Sequence, residues 1–281
     1  MNAPKRIVFT LDLEDHRPHV SYPKRYPDIT RTLLDFFDER KIEATVFVLG
    51  RVAREDPGLI REISQRGHEI GFHSPNHVHL TAETPERFRM ETENLKKYLE
   101  DLCGDAVVGY RAPAFSLTRH SLWAVDILQE LGFSYSSSLL PAKNPIFGFP
   151  GAPRQPFRWS NGLLEIPAPV ARIGRVAVPF LGGVYLRYTP RFFVQYFLAR
   201  GAIEQCYWTY CHPYDFDNEE AFFRIDGASL PVSLLLWFNR KNTLKKLESI
   251  FRNTGTGVYD RCFATLIGAG EFRAAPIFDV S

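Results

Sequence analysis

The sequence predicts an α/β fold built on parallel strands, and three observations point there. Short apolar runs rich in Val, Ile and Phe alternate with segments whose apolar residues recur at helical spacing, as in βαβ units. Several of those runs end in clustered ionisable residues, as strands do where α/β folds carry their chemistry. The chain has 281 residues, a length at which an α/β barrel forms a single domain.

The elements follow in order. Residues 7–11 read Ile-Val-Phe-Thr-Leu, a buried strand that empties into Asp12, Glu14, Asp15 and His16. Asp28 can cap a helix whose inner face is Ile29, Leu33, Phe36 and Phe37. Residues 44–49 are the second strand, and Leu59, Ile60 and Ile63 mark a helix that Gly67 stops. Residues 69–72 form a brief third strand that delivers His73, His77 and His79. Pro85 and Glu86 open a helix with Phe88, Leu95, Leu99 and Leu102 on one face.

Residues 106–110 are a fourth strand leading into Arg111-Ala112-Pro113, and 133–135 a fifth after the helix marked by Leu122, Val125, Leu128 and Leu131. Residues 141–160 hold five prolines and two glycines, a long loop suited to walling a cleft. Residues 163–166 resume a strand, and 180–185 read as a loop whose paired glycines permit close backbone approach. Pro190 starts a helix through Phe193 and Phe197. Residues 205–210 are a last strand ending in Cys211-His212-Pro213-Tyr214-Asp215, and one helix from about Pro231 carries Leu235, Leu236, Leu244, Leu247 and Phe251. About seven strands result.

Composition is that of an ordinary globular protein, with 45% hydrophobic and 23% charged residues. A net charge of +2 gives no footprint for nucleic acid. The four cysteines match no metal or redox spacing, which reads as reduced thiols in a cytoplasmic setting. Only two basic residues, and no long apolar region, precede the first strand. The expected location is therefore the cytoplasm or the inner face of the membrane.

Three strand ends carry chemistry: the acids after the first, His73 and His77 after the third, and His212 after the last. Arg111 follows the fourth. A parallel barrel gathers such ends on one rim. A carboxylate with two histidines is a standard set for catalytic zinc, which acidifies a bound water and polarises a carbonyl.

Here the chain resembles the polysaccharide deacetylase (NodB-homology) domain of carbohydrate esterase family 4. Five pieces arrive in that family's order: Thr10-Leu11-Asp12 to Asp15, His73-Ser74-Pro75-Asn76-His77, Arg111-Ala112-Pro113, Tyr135 to Ser138, and Tyr210 to Pro213. Arg111 to Ser116 and His212 to Asp217 resemble the branch found with exopolysaccharide and surface-glycan clusters. The resemblance implies a distorted (β/α)7-type barrel over residues 1–217, with residues 218–281 as a C-terminal helical extension. It implies a metal-dependent deacetylase that removes acetyl from an N-acetylated glycan or glycan precursor.

Residue by residue, the resemblance makes Asp12 the general base toward a metal-bound water and Arg111 its charge-assisted partner. His73 and His77 become metal ligands, with Ser74 bracing their loop. His212 becomes the acid that protonates the departing amine, and a backbone N–H joins the metal in holding the oxyanion. Glu14 and Asp15 are alternative carboxylate ligands. Zinc is the expected ion, with cobalt or nickel accepted by the same donors. Pro113, Tyr185 and Arg187 are expected against the substrate.

Two departures matter. Ser136 stands where the family often has the aspartate that pairs with the acid histidine, so Asp215 or Asp217 would have to replace it. Ala114 stands for a tyrosine. Alternatives are hydrolysis of another C–N bond, as in allantoinase-like relatives, or O-deacetylation on the same fold. A glycan-binding protein without catalysis is a further one. The apolar run of residues 234–238 reads as core packing or a homodimer seam, with peripheral contact to a bilayer carrying a lipid-linked glycan as the alternative.

Overall fold

The computed structural model describes residues 7–144, 146–174, 176–200, 206–225, 227, 229–253 and 261–280. The regular half runs β1 (Ile7–Val8), β2 (Thr10–Leu13), α1 (Tyr26–Arg40), β3 (Thr45–Val48), α2 (Gly50–Glu55), α3 (Pro57–Gln65) and β4 (Glu69–Phe72). It continues through α4 (Pro85–Cys103), β5 (Gly109–Tyr110), α5 (Trp123–Glu130) and β6 (Tyr135–Ser136). α4 shows the local logic. Thr84 accepts the Arg87 amide, Pro85 occupies the first turn, Phe88, Leu95 and Leu99 are buried, and Gly104 ends the helix at φ 79°.

The second half is less regular. β7 (Phe157–Trp159) and β8 (Leu164–Glu165) precede β9 (Val170–Ile173) and β10 (Val176–Pro179). Then come α6 (Gly183–Tyr188), α7 (Arg191–Arg200), β11 (Tyr207–Trp208), α8 (Leu230–Trp237), α9 (Thr243–Asn253), α10 (Phe263–Gly268) and β12 (Ile277–Phe278).

Parallel pairing runs from β2 through β3, β4, β5 and β6 to β8, with Asp12 opposite Phe47 and Tyr110 opposite Ser136. On the other flank β1 pairs in parallel with β11, and the Asp12 amide donates to the Cys211 carbonyl at 2.8 Å. Because β1 and β2 are one continuous stretch, the wall closes around to β11. No ladder joins β8 to β11 among the described residues; the Trp208 indole instead donates to the Pro167 carbonyl at 3.1 Å. This is a distorted (β/α)7-type barrel, as the resemblance implies, built on the parallel strands that the alternation predicts.

Phe47, Tyr135, Trp208 and Phe263 fill the interior. α10 closes the end opposite the site. Its first amides, Phe263 and Ala264, donate to Thr45 Oγ1 and Glu69 Oε2, each at 3.0 Å, and Tyr135 donates to Glu69 Oε1 at 2.8 Å. Burial pushes the Glu69 carboxyl upward, against those bonds.

Several expectations need correcting. Residues 180–185 are not a loop; α6 begins there, and Gly182 lies so close to Tyr210 that a Cβ would stand 2.3 Å from its carbonyl oxygen. β9 and β10 form an antiparallel hairpin that was not expected. The expected single C-terminal helix is broken at Asn239, whose φ of 59° no helix tolerates. β12 pairs with β7, so the C-terminal segment is not wholly helical. Residues 234–238 are not core: Leu234, Leu235 and Phe238 are 51%, 43% and 54% exposed. Gln205 and the Phe251 side chain lie outside the described residues.

A candidate metal and acid–base site

β2 and β4 end side by side and deliver the first cluster. Glu14 Oε1 lies 2.9 Å from His73 Nε2 and 3.1 Å from His77 Nε2. All three ligand atoms fall within 4.8 Å of one another. The loop carrying the histidines is bent to achieve this: Ser74 and His77 have φ of 66° and 60°, and Ser74 Oγ accepts the His77 amide at 2.9 Å. The first amides of α2 secure it, Gly50 donating to the Ser74 carbonyl and Arg51 to that of Pro75.

The donor set fits a divalent cation on its own chemistry. His73 Nδ1 faces the Arg111 carbonyl at 2.9 Å, and a carbonyl only accepts, so Nδ1 carries the proton. A ring with its proton on Nδ1 alone would point an Nε2 lone pair at a carboxylate oxygen that also only accepts. Lone pair against lone pair is repulsive; a proton or a cation between them is required. Burial alone would raise the Glu14 carboxyl; where a proton fills that gap, hydrogen bonds from His73 and His77 hold it well below its usual range. Asp15 is not part of this cluster. Its carboxylate turns to Arg17 Nε at 2.6 Å, because the chain has left the strand and the two neighbours face apart.

Asp12 stands beside the cluster and is held by Arg111, whose Nη1 donates to Asp12 Oδ1 at 2.5 Å and to Thr10 Oγ1 at 2.7 Å. The guanidinium is fully buried, 3.9 Å from the Phe47 ring centroid and 4.3 Å from that of Trp208, and Nη2 donates to Ser137 Oγ. Arg111 thus positions Asp12 from inside the barrel.

His212 approaches from β11, its Nε2 3.9 Å from Glu14 Oε1. Asp215 Oδ2 accepts the His212 backbone amide at 2.8 Å and lies 3.2 Å from His212 Nδ1. Burial pulls the imidazole down, but Asp215, Glu14 and Asp12 outweigh it and push His212 up to about 9. A cation held at Glu14 would offset that carboxylate's part of the pull. Tyr214 stacks on the ring at 4.7 Å.

Ser136 makes no contact with His212; it donates to Ser138 Oγ, and Asp215 is the carboxylate beside the histidine. Pro113 is buried just past β5, and Tyr185, 39% exposed on α6, is open to solvent near the rim. Arg187 is not a substrate contact. It is fully buried, with Nε 3.0 Å from Asp215 Oδ1 and Nη1 bonded to the Leu236 and Phe238 carbonyls. Alternate helical positions explain this, since α6 turns Arg187 inward while Tyr185 and Tyr188 face out. Glu165 was not anticipated. Buried at the end of β8, it accepts the Ser138 and Leu139 amides at 2.8 and 3.0 Å, and the signal for it was an acid ending an apolar strand.

Residues 2–136 match the model of the polysaccharide deacetylase family. Residues 2–136 are a polysaccharide deacetylase domain. The deacetylase domain supplies Asp12, Glu14, His73, His77 and Arg111. Residues 137–264 match a domain of unknown function (DUF3473), which supplies Arg187, His212 and Asp215. A chitooligosaccharide deacetylase from Azorhizobium caulinodans is 31% identical over 104 residues, 37% of this chain and 47% of that protein. A peptidoglycan-N-acetylglucosamine deacetylase from Bacillus cereus is 32% identical over 74 residues, 26% of this chain and 35% of that protein. The chain therefore matches less than half the length of either relative. A crystal structure of a Mycobacterium smegmatis protein assigned to the polysaccharide deacetylases superposes with a TM-score of 0.67, at 19% identity, over 99% of this chain and 94% of the other. That likeness concerns the fold.

Proposed function

We propose that this chain removes the acetyl group from an N-acetylated amino sugar in a surface glycan, an exopolysaccharide or one of their precursors. One observation carries the reading. Glu14, His73 and His77 converge beside a carboxylate fixed by arginine, Asp12, and an imidazole fixed by a carboxylate, His212. The relatives' names, which specify deacetylation of chitooligosaccharide and of peptidoglycan N-acetylglucosamine, support an N-acetylhexosamine as substrate.

Glu14, His73 and His77 would hold a divalent ion, for which their N/O donor set suits zinc. When bound, it supplies Lewis-acid polarisation and a more acidic water. Asp12, oriented by Arg111, takes a proton as the water oxygen bonds to the acetamide carbon. His212, held through Nδ1 by Asp215, gives its Nε2 proton to the sugar nitrogen as the C–N bond breaks. Acetate and the free amine leave, and solvent exchange returns Asp12 and His212 to their starting states.

The test is acetate release from N-acetylglucosamine oligomers by the zinc-loaded chain and its Asp12→Asn and His212→Asn variants. Release by the parent and loss in both variants is expected. Release unchanged in both would overturn the reading.

A further inference from the structure

We propose that the surface built on α8, with its flanks on α6 and α7, docks on an anionic lipid bilayer. α8 reads Leu-Pro-Val-Ser-Leu-Leu-Leu-Trp, without a charged residue. Leu230, Val232, Leu234, Leu235 and the following Phe238 are between 43% and 54% exposed. Tyr188 of α6 extends the patch, stacking on Phe238 at 4.8 Å and donating to the Leu235 carbonyl. α7 turns Phe192 and Phe193 outward, at 63% and 43%. Single exposed apolar side chains are ordinary, but a run of them along α8, joined to Tyr188 through Phe238, marks a contact surface.

Charge chooses the occupant. Over the whole chain 34 Lys and Arg nearly balance 32 Asp and Glu. Residues 183–200 and 229–247, which build this surface, contain cations and no Asp or Glu. Arg240 is taken up by Glu220, but Arg191, Lys241 and Lys245 are exposed. A second copy docked about a two-fold axis would bring two rims of the same sign together, which opposes association. An apolar centre with a cationic rim and tyrosine at its edge suits anionic headgroups over acyl chains. Among the described residues no helix is long and apolar enough to cross a membrane, so the contact lies on the bilayer.

The patch adjoins the site. α6 starts at Gly183, where a Cβ would stand 4.0 Å from His212 Cε1, and ends at Tyr188 against Phe238. That run is about 8 Å long at helical rise. Docking would set the rim at a sugar carried on the membrane surface. This substrate half rests on the proposed deacetylase activity; the docking itself does not.

The experiment is cosedimentation of the full chain with phosphatidylcholine vesicles, with and without phosphatidylglycerol. Binding should require phosphatidylglycerol and weaken at high salt. Lys241→Gln/Lys245→Gln should weaken it roughly thirtyfold, from about fivefold per cation. Leu234→Gln/Leu235→Gln should abolish it while leaving the thermal melting temperature unchanged. Absence of binding, or binding indifferent to both double variants, would overturn the proposal. So would a wild-type dimer that Leu234→Gln/Leu235→Gln converts to monomer, since the face would then be a seam between copies. Acetate release from soluble oligomers is read separately, so failure of the docking and failure of the deacetylase reading give different results.

Discussion

Arg187 Nε stands 3.0 Å from Asp215 Oδ1, with both side chains wholly shielded from solvent, and the other oxygen of Asp215 faces His212. His212 is thus fixed by a chain of two buried charges, both within the region of residues 137–264. Removing one partner of such a pair leaves the other uncompensated, at about 3–5 kcal/mol. Arg187→Met is expected to lower the melting temperature and to reduce kcat more than it raises KM. Asp215→Asn removes the group that holds His212 charged, so the basic limb of the kcat/KM profile should move to lower pH. A basic limb that stays in place would separate Asp215 from the protonation of His212.

Glu14 and Asp15 are neighbours in sequence with opposite surroundings. Zinc in hundredfold excess over its dissociation constant should stabilise the wild type by about 2.7 kcal/mol. Glu14→Gln should lose that stabilisation, read as a zinc-dependent rise in melting temperature, and Asp15→Asn should keep it.

Asp12→Asn preserves shape and removes the proton acceptor beside Arg111. Turnover should fall by about 10²–10⁴, while zinc binding by calorimetry stays near that of the wild type.

His68 offers a test of pH dependence away from the site. Its Nδ1 accepts the Ala44 amide at 3.1 Å, its ring packs edge-on to Phe37, and burial lowers it to about 4. The folded value lies below the unfolded one near 6.5, so the unfolded chain takes up the proton first as pH falls. Stability from this group is complete above about pH 6.5 and should decline by about 3 kcal/mol toward pH 4. Chemical denaturation of wild type and His68→Phe across that range checks it; the variant should show the smaller decline.

The strands that carry Asp12, His73 and Arg111 were legible because each is an apolar run ending in charge. The parallel order followed from the helices between them. Residues 170–188 were not legible: a short hairpin and a one-turn start at Gly183 leave no periodicity to detect. Arg187 was expected against the substrate because residues 180–185 just before it read as a loop, whereas α6 runs through it and turns it inward. The choice between Glu14 and Asp15 depends on where β2 ends, a matter of one residue. Ser136 left the partner of His212 open, and the turn after β11 supplied Asp215 from three residues away.

The contacts of α10 with Thr45 and Glu69 bear on how the molecule is made. Every stave of the wall, β1 to β11, emerges from the ribosome before Phe263 and Ala264 do. Until those two amides arrive, Glu69 and Thr45 face water at the open base of the barrel. The rim that carries Asp12, His73 and His212 is therefore synthesised in full while its floor is still missing.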